Sequence, residues 1–346
     1  MSGRVHTFDS LPEMKSGSAP AAARAGEPAR ERPLIGLIRN TRSHLEGGPL
    51  PVEGLGADVI SQVPDRRELL HGVLQSFADR HVDAIAISGG DGTVRDVLTS
   101  GMAVFGHDWP PIILLPYGKT NALACDLGLA RNWALPDAIR ALQGGKTSQR
   151  KPLVVADAQN AAARVVGFVI GAGVFTNMIE LGQRVHGMGA FNAFAVGMTT
   201  VWSALQIVFG RAENRWRQPV GMRIVVEDGQ PLPHREEDKN DGDTATRFLM
   251  FASSLKHLPS GIAPFDHVSG PIGLAAIDRM TARLMPLILK MLRGGQSDRA
   301  QENGIHIVGA DGFAFSCEKP FILDGEAFPA GDYEVDTGLT LHFVVP

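Results

Sequence analysis

The feature that most constrains this chain is a short apolar run, Ala84–Ser88 (AIAIS). It passes directly into Gly89-Gly90-Asp91-Gly92-Thr93 and then into the helical pattern VRDVLTSGMAV. A run of this kind reads as a buried strand. Consecutive glycines after it let the backbone turn sharply and bring amide N–H groups close to an anion. The helix that follows points its positive N-terminal end at the same spot. A phosphate is the natural guest of such a loop. An acid inside it is costly beside phosphates unless it holds Mg2+ or a proton in transit, and Asp91 is therefore a candidate for either task. Taken alone, a glycine-rich turn is equally an ordinary structural turn.

The arrangement recurs. Ile112–Leu115 (IILL) leads into Pro116-Tyr117-Gly118-Lys119-Thr120-Asn121 and a second helix. This loop supplies a cation, a hydroxyl and an amide, and Lys119 is placed to neutralise a phosphate, although a solvated lysine at a helix start has the same appearance. Upstream, Pro33–Arg39 reads as the first buried strand. Asp65–Arg80 reads as an amphipathic helix with Leu69, Leu70, Val73, Leu74 and Phe77 on one face and Asp65 as its N-cap. Leu135–Leu142 adds a helix. Strands alternating with helices predict a doubly wound, mostly parallel α/β sheet, which binds ligands at the carboxyl ends of its strands. Both loops lie there, so a polyphosphate between them is expected.

After about Arg150 the texture changes. Lys151–Asp157, Arg164–Ile170, Met222–Val226, Phe248–Ser253, Gly273–Ile277, Ile305–Val308, Phe321–Leu323 and Leu339–Val345 read as strands. Two helical segments, Thr176–Gly210 and Thr281–Arg293, interrupt them, and Glu227–Arg247 reads as a solvated loop. The expected organisation is a disordered tail over residues 1–32, an α/β domain over 33–150 and a β-rich, sandwich-like domain over 151–346.

Composition narrows the function. The formal net charge of −4 offers no global basic field, so no nucleic-acid partner is expected. Cys125 and Cys317 stand far apart without metal-ligand spacing, which points to a reducing cytosol. The first 32 residues lack the apolar core of a signal peptide. Gly187–Gly210 carries no charged residue, but Asn192, Thr199, Thr200, Ser203 and Gln206 make it amphipathic. A buried or interface-facing helix, not a transmembrane span, is expected there. Thr281–Arg293 joins Leu284, Leu287, Ile288, Met291 and Leu292 to Arg283, Lys290 and Arg293, which suits either an interfacial helix or a core helix with a solvated rim.

GGDGT followed by LPYGKTNALACDLGL resembles the catalytic domain shared by diacylglycerol, sphingosine and ceramide kinases. The family pattern after the second strand is roughly P-x-G-[ST]-x-N-x-x-A, and Pro116, Gly118, Asn121 and Ala124 match it. Lys119 replaces the small hydroxyl residue. Asn40 stands where the family's first strand ends, without the proline that follows it there. The family's Asp-Gly-Glu stands as Asp324-Gly325-Glu326. GGDGT alone also occurs in NAD kinases, so the combination carries the resemblance.

The resemblance implies an ATP- and Mg2+-dependent kinase. Asn40, Gly89, Gly90, Gly92, Thr93, Thr120 and Asn121 would line the ATP site, with Lys119 at a phosphate and Asp91 beside the phosphates and Mg2+. Asp324, with Glu326, would reach the acceptor hydroxyl from the second domain, in the cleft between the two. Either Asp324 or Asp91 would be the base, and the turn-forming Asp-Gly pair is also a common hairpin signal. Where sphingosine kinases carry an acid facing the substrate amine, this chain has Thr176, with Glu180 a distant substitute. That favours a neutral lipid, ceramide or diacylglycerol. The enzyme would be cytoplasmic, meeting its lipid substrate transiently at the inner membrane face, with its oligomeric state open. The rivals are a kinase of a soluble acceptor such as NAD, and a non-catalytic lipid- or nucleotide-binding protein.

Overall fold

The computed structural model of the chain describes residues 7–13, 30–40, 54, 56–176, 219–226, 229–234, 245–297 and 299–346. The uncharged stretch Gly187–Gly210, Glu180 and most of the acidic loop after Glu227 lie outside these residues.

The first sheet has the order β2-β1-β3-β4-β18-β5. Its strands are β1 (Leu34–Arg39), β2 (Asp58–Gln62), β3 (Ala84–Gly89), β4 (Ile112–Pro116), β5 (Thr147–Arg150) and β18 (Leu341–Val344). All pairs are parallel except β18 with β5. β1, β3 and β4 are buried almost throughout because helices cover the sheet, as a parallel sheet requires. The covering helices are α1 (Leu70–Asp79), α2 (Asp91–Phe105), α3 (Ala122–Asp126) and α4 (Leu135–Gln143).

Two antiparallel sheets follow. One runs β10-β9-β14-β17-β6-β7, the other β13-β12-β11-β8-β15-β16. The former contains β6 (Leu153–Asp157), β7 (Arg164–Gly167), β9 (Val220–Val225), β10 (Ala245–Arg247), β14 (Gly312–Cys317) and β17 (Gly331–Thr337). The latter contains β8 (Val169–Gly173), β11 (Leu249–Ser253), β12 (Ile272–Ile277), β13 (Ile305–Ala310), β15 (Phe321–Leu323) and β16 (Glu326–Phe328). One core joins them: Val155, Ile224, Phe315 and Val335 from one sheet pack with Ile170, Met250, Leu274 and Leu323 from the other. Face-to-face antiparallel sheets with alternating inward residues form a sandwich.

Three local expectations change and a fourth, left open between two alternatives, is resolved. Leu339–Val345 was expected in the β-rich part, but β18 inserts beside β4 in the first sheet, where Phe343 and Val344 are fully buried. A strand with both faces apolar fits a helix-covered sheet better than a half-solvated one. Asp65 does not cap a helix: a 3-10 turn over Arg67–Leu69 precedes α1, and Leu69 is half exposed. Part of the expected N-terminal tail is built into the sandwich. Thr7 bridges Ala327, Glu13 bridges Ala163, and Leu11 is buried in the core. Within Thr281–Arg293, α5 (Met285–Met291) has Pro286 in its first turn. It sets Leu284 and Met291 into a small core with Val174 and Ile305, leaving Leu289 exposed.

Candidate active site

The two glycine loops meet at the carboxyl end of the first sheet. Gly90 is the extended N-cap of α2. A Cβ on Gly118 would fall 2.5 Å from the Gly90 Cα, and one on Gly90 would fall 3.0 Å from the Gly118 Cα. Glycine is required at this close approach because no side chain fits between the two backbones. Tyr117 N–H donates to the Gly89 carbonyl at 3.1 Å, which ties the loops again.

Asn40 joins from the end of β1. Its N–H donates to Ser88 O at 2.9 Å and its Nδ2 to Thr93 Oγ1 at 2.8 Å. Asn121 has left-handed backbone (φ 50°) and works inside its own loop: Oδ1 accepts from Gly118 N at 2.9 Å, and Nδ2 donates to Gly118 O at 2.8 Å and Pro116 O at 3.2 Å. Both asparagines therefore shape the loops. Lys119 and Thr120 are exposed at the loop's outer face.

Asp91 and Asp324, 233 positions apart in the sequence, lie near enough for the charge of Asp91 to act on Asp324. Burial raises the Asp91 pKa, opposed by hydrogen bonds from the backbone amides of Ala122, Leu123 and Asn121. Its carboxylate thus links the first loop to the start of α3. Asp324 and Gly325 have φ of 46° and 84° and form the two-residue turn joining β15 to β16. Two positive φ values match the hairpin turn that suits strand twist, and Asp is among the few side chains that accept the first. The Asp324 carboxylate accepts from Phe168 N (3.0 Å to Oδ2) and Val169 N (3.0 Å to Oδ1). Burial first, and the charge of Asp91 second, push its pKa up to about 7, against the pull of Arg95 and the two amides.

Glu326 is held differently. Arg67 Nη2 donates to its Oε1 and Oε2 at 2.8 and 2.6 Å, and Arg95 Nη2 lies 3.0 Å from Oε2. Arg95 also donates to Asp96 Oδ1 at 2.6 Å and to Leu323 O at 3.3 Å, while Arg67 Nε reaches Asp96 Oδ2 at 2.7 Å. This network presses the β15–β16 hairpin onto the start of α2; a Cβ on Gly92 would lie 3.5 Å from Glu326 Oε1. Sequence reading missed Arg67, Arg95 and Asp96. The available signal was a charge, Arg95, set between the apolar Val94 and Val97, all three of which α2 buries.

Among the described residues no group of three or more His, Cys, Asp or Glu side chains is placed to hold a metal, and no helix is long and apolar enough to cross a membrane.

Residues 55–154 match the family model of the diacylglycerol kinase catalytic domain, a span that contains both glycine loops. The resemblance read from the sequence therefore holds over that segment. A candidate diacylglycerol kinase from Bacillus anthracis str. Sterne is similar in structure, with a TM-score of 0.62 and 15% identity, covering 92% of this chain and 99% of that one. A crystal structure of a diacylglycerol kinase from the same strain gives a TM-score of 0.58 at 15% identity, covering 91% and 97%. Likeness at that identity establishes the fold. No curated protein matches the chain significantly.

Proposed function

We propose that this chain is an ATP-dependent lipid kinase that phosphorylates a hydroxyl of a neutral membrane lipid, ceramide or diacylglycerol in preference to a free sphingoid base. The observation that carries the reading is the meeting of Asp91 with Asp324, whose carboxyl is raised to about 7. A base with a pKa near the working pH is well matched to accept the proton of an attacking hydroxyl. We assign the general base to Asp324. The amides of Phe168 and Val169 fix its orientation, and it stands on the hairpin that overhangs the start of α2.

Residues 33–150, completed by β18, form the nucleotide side of this reading, and the β-rich remainder presents the acceptor across the cleft. Asn40, Gly89, Gly90, Gly92, Thr93, Lys119, Thr120 and Asn121 shape the phosphate loops. A divalent cation fits here: Asp91 already raises the pKa of Asp324 by its charge, a repulsion that a cation beside Asp91 would relieve. With no larger acidic cluster among the described residues, the nucleotide's phosphates would supply the other ligands, as is usual for Mg2+. When bound, MgATP supplies the γ-phosphoryl group and neutralises its charge. The chain's own work is to align the loops, present Asp324 and keep Glu326 paired.

Two features support a neutral lipid acceptor. Thr176 is uncharged, and its Oγ1 donates to Pro320 O at 2.8 Å, so it offers no anion to an ammonium. Phe175 and Phe251, both partly buried, and the buried Phe265 stack in a row with centroids 5.6 and 5.8 Å apart, an apolar row that an acyl chain would extend. Such an enzyme would be cytoplasmic and visit the inner membrane face transiently.

The test is transfer of labelled γ-phosphate from ATP, with Mg2+, to diacylglycerol, ceramide and sphingosine in mixed micelles, and to NAD in a parallel reaction. Labelling of a neutral lipid is the expected result. Preferential labelling of sphingosine keeps the kinase and removes the Thr176 argument. Labelling of NAD alone, or of nothing, overturns the lipid reading.

A further inference from the structure

We propose that residues 7–13 are an interdomain strap that positions the Asp324–Glu326 hairpin over the start of α2, with Phe8 and Arg67 as its positioning residues. β16 is the edge strand of its sheet, and an unpaired edge is free to fray or to recruit another strand. The strap covers it. Thr7 bridges Ala327 in parallel, and Phe8 N–H donates to Ala327 O at 2.9 Å. At its other end Glu13 bridges Ala163, and Pro12 O accepts from Arg164 N at 3.1 Å. Between these anchors Leu11 is buried among the sandwich residues.

Phe8 does more than pair an edge. Its ring stacks on Phe328 with centroids 4.5 Å apart and an interplanar angle of 6°. The Arg67 guanidinium lies 4.4 Å from its centroid and that of Arg95 lies 5.6 Å away. An aromatic face over a guanidinium attracts it and excludes water, which strengthens the ion pair behind it. Arg67 comes from the turn before α1, whereas Glu326 begins β16. The strap therefore seals the charge bridge that joins the hairpin to the helices of the first sheet. A cavity of about 280 Å³, lined in part by Phe8, Glu13, Arg67, His71 and Thr99, remains beside it. Phe8, Pro12 and Glu13 of the strap form part of its wall.

The consequence for turnover rests on the kinase reading; the structural consequence does not. Two variants test both, one lacking residues 1–13 and one carrying Phe8→Ala, with Phe8→Tyr as the conservative rescue. Hydrogen exchange of backbone amides in residues 321–328 is expected to accelerate in the first two and to return toward normal in the third. In the transfer assay kcat is expected to fall by about 10- to 100-fold, as misplacement of a catalytic group does, while KM for ATP stays unchanged. Unchanged hairpin exchange in both disrupted variants overturns the strap. Parallel loss of ATP binding and turnover also overturns it, because that pattern marks general destabilisation. If the unmodified chain transfers no phosphate, the kinase reading fails and the exchange measurement alone decides the strap.

Discussion

Two arginines, Arg95 and Arg247, lie almost wholly inside the protein, at 0% and 2% exposure, yet their surroundings differ. Around Arg95, burial alone would lower the pKa, but Asp96, Glu326 and Asp324 together outweigh it and the net shift is upward. Around Arg247, burial lowers the pKa and outweighs the opposing pull of Asp278. That carboxylate is divided. His306 Nε2 lies 3.0 Å from Asp278 Oδ2, and His234 Nε2 lies 3.8 Å from Oδ1. The Asp278 pKa falls even so, since these partners outweigh its own burial. Arg247 is completed by the carbonyls of Leu232 (2.8 Å) and Pro233 (3.1 Å). The Asp278 cluster closes contacts within the β-rich part. The Arg95 cluster holds an excess of negative charge and ties β15 and β16 to α2. Burial first, with the charge of Asp91 second, raises one of its members, Asp324, to about 7, against the pull of Arg95.

Breaking the member with raised pKa gives the largest effect. Asp324→Asn is expected to cut phosphoryl transfer by about 10³-fold, within the range for loss of a general base, with ATP affinity retained by calorimetry. Full turnover would remove Asp324 as the base. The same variant is expected to be more stable than the parent above neutral pH. Folding favours the protonated form of a carboxyl whose pKa rises from 3.8 to about 7, so its stabilisation is complete below pH 3.8 and lost as pH rises to 7. Asparagine mimics that form and keeps an oxygen for the Phe168 and Val169 amides. The gain at pH 8, allowing for partial exposure, is about 2–4 kcal/mol by denaturant unfolding, and it vanishes near pH 3.

Asp278→Ala tests the other cluster. Removing the carboxylate leaves Arg247 buried with carbonyl partners only, and loss of one partner from a buried pair costs about 3–5 kcal/mol. Denaturant midpoints should fall accordingly while kcat per folded molecule stays unchanged. A fall in kcat at constant stability would mean that the two clusters communicate.

Only one side of this contrast was legible in the sequence. The two glycine loops could be read because glycines between a buried strand and a helix have a local cause, here the close approach of Gly90 and Gly118. Asp324-Gly325 was legible both as a motif and as a turn, and the structure shows the turn. Arg95 was not, because a charged residue on a helix ordinarily reads as solvated, and its partner Glu326 lies on the far side of the chain. Asp91 engages amides of the second loop, a partner that no local window around Gly89–Thr93 contains. Phe8 and Leu11 were lost in the average composition of a tail rich in Ala, Gly and Pro. β18 was read correctly as a strand and assigned to the wrong layer, since sheet membership is a long-range property.

A smaller effect is expected from separating the loops beneath the Arg95 cluster. Gly118→Ala places a methyl group 2.5 Å from the Gly90 Cα, so one backbone must move. ATP affinity should fall by about 10- to 100-fold, the scale of a small misplacement at a binding centre. Stability of the sandwich, followed through Tyr333 in its core, should be unaffected. Retained affinity would show that the nucleotide does not use the narrow join between the loops.

The last variant tests whether the charge of Glu326 reaches Asp324 through Arg95. In Glu326→Gln, Arg95 keeps Asp96 and the Leu323 carbonyl, and Arg67 keeps Asp96 and the Phe8 ring, so neither cation is stranded. Stability should therefore fall by about 1 kcal/mol, the scale of one weakened hydrogen-bonded contact and well short of Asp278→Ala. The informative change is in pH. In the parent chain turnover should rise with pH through a midpoint near 7, as Asp324 ionises. Removing the negative charge of Glu326 leaves Arg95 to act more strongly on Asp324, which favours the ionised carboxylate and moves that midpoint to lower pH. A midpoint that stays fixed, or moves upward, would mean that Arg95 does not couple Glu326 to Asp324 and that the raised pKa comes from burial and Asp91 alone.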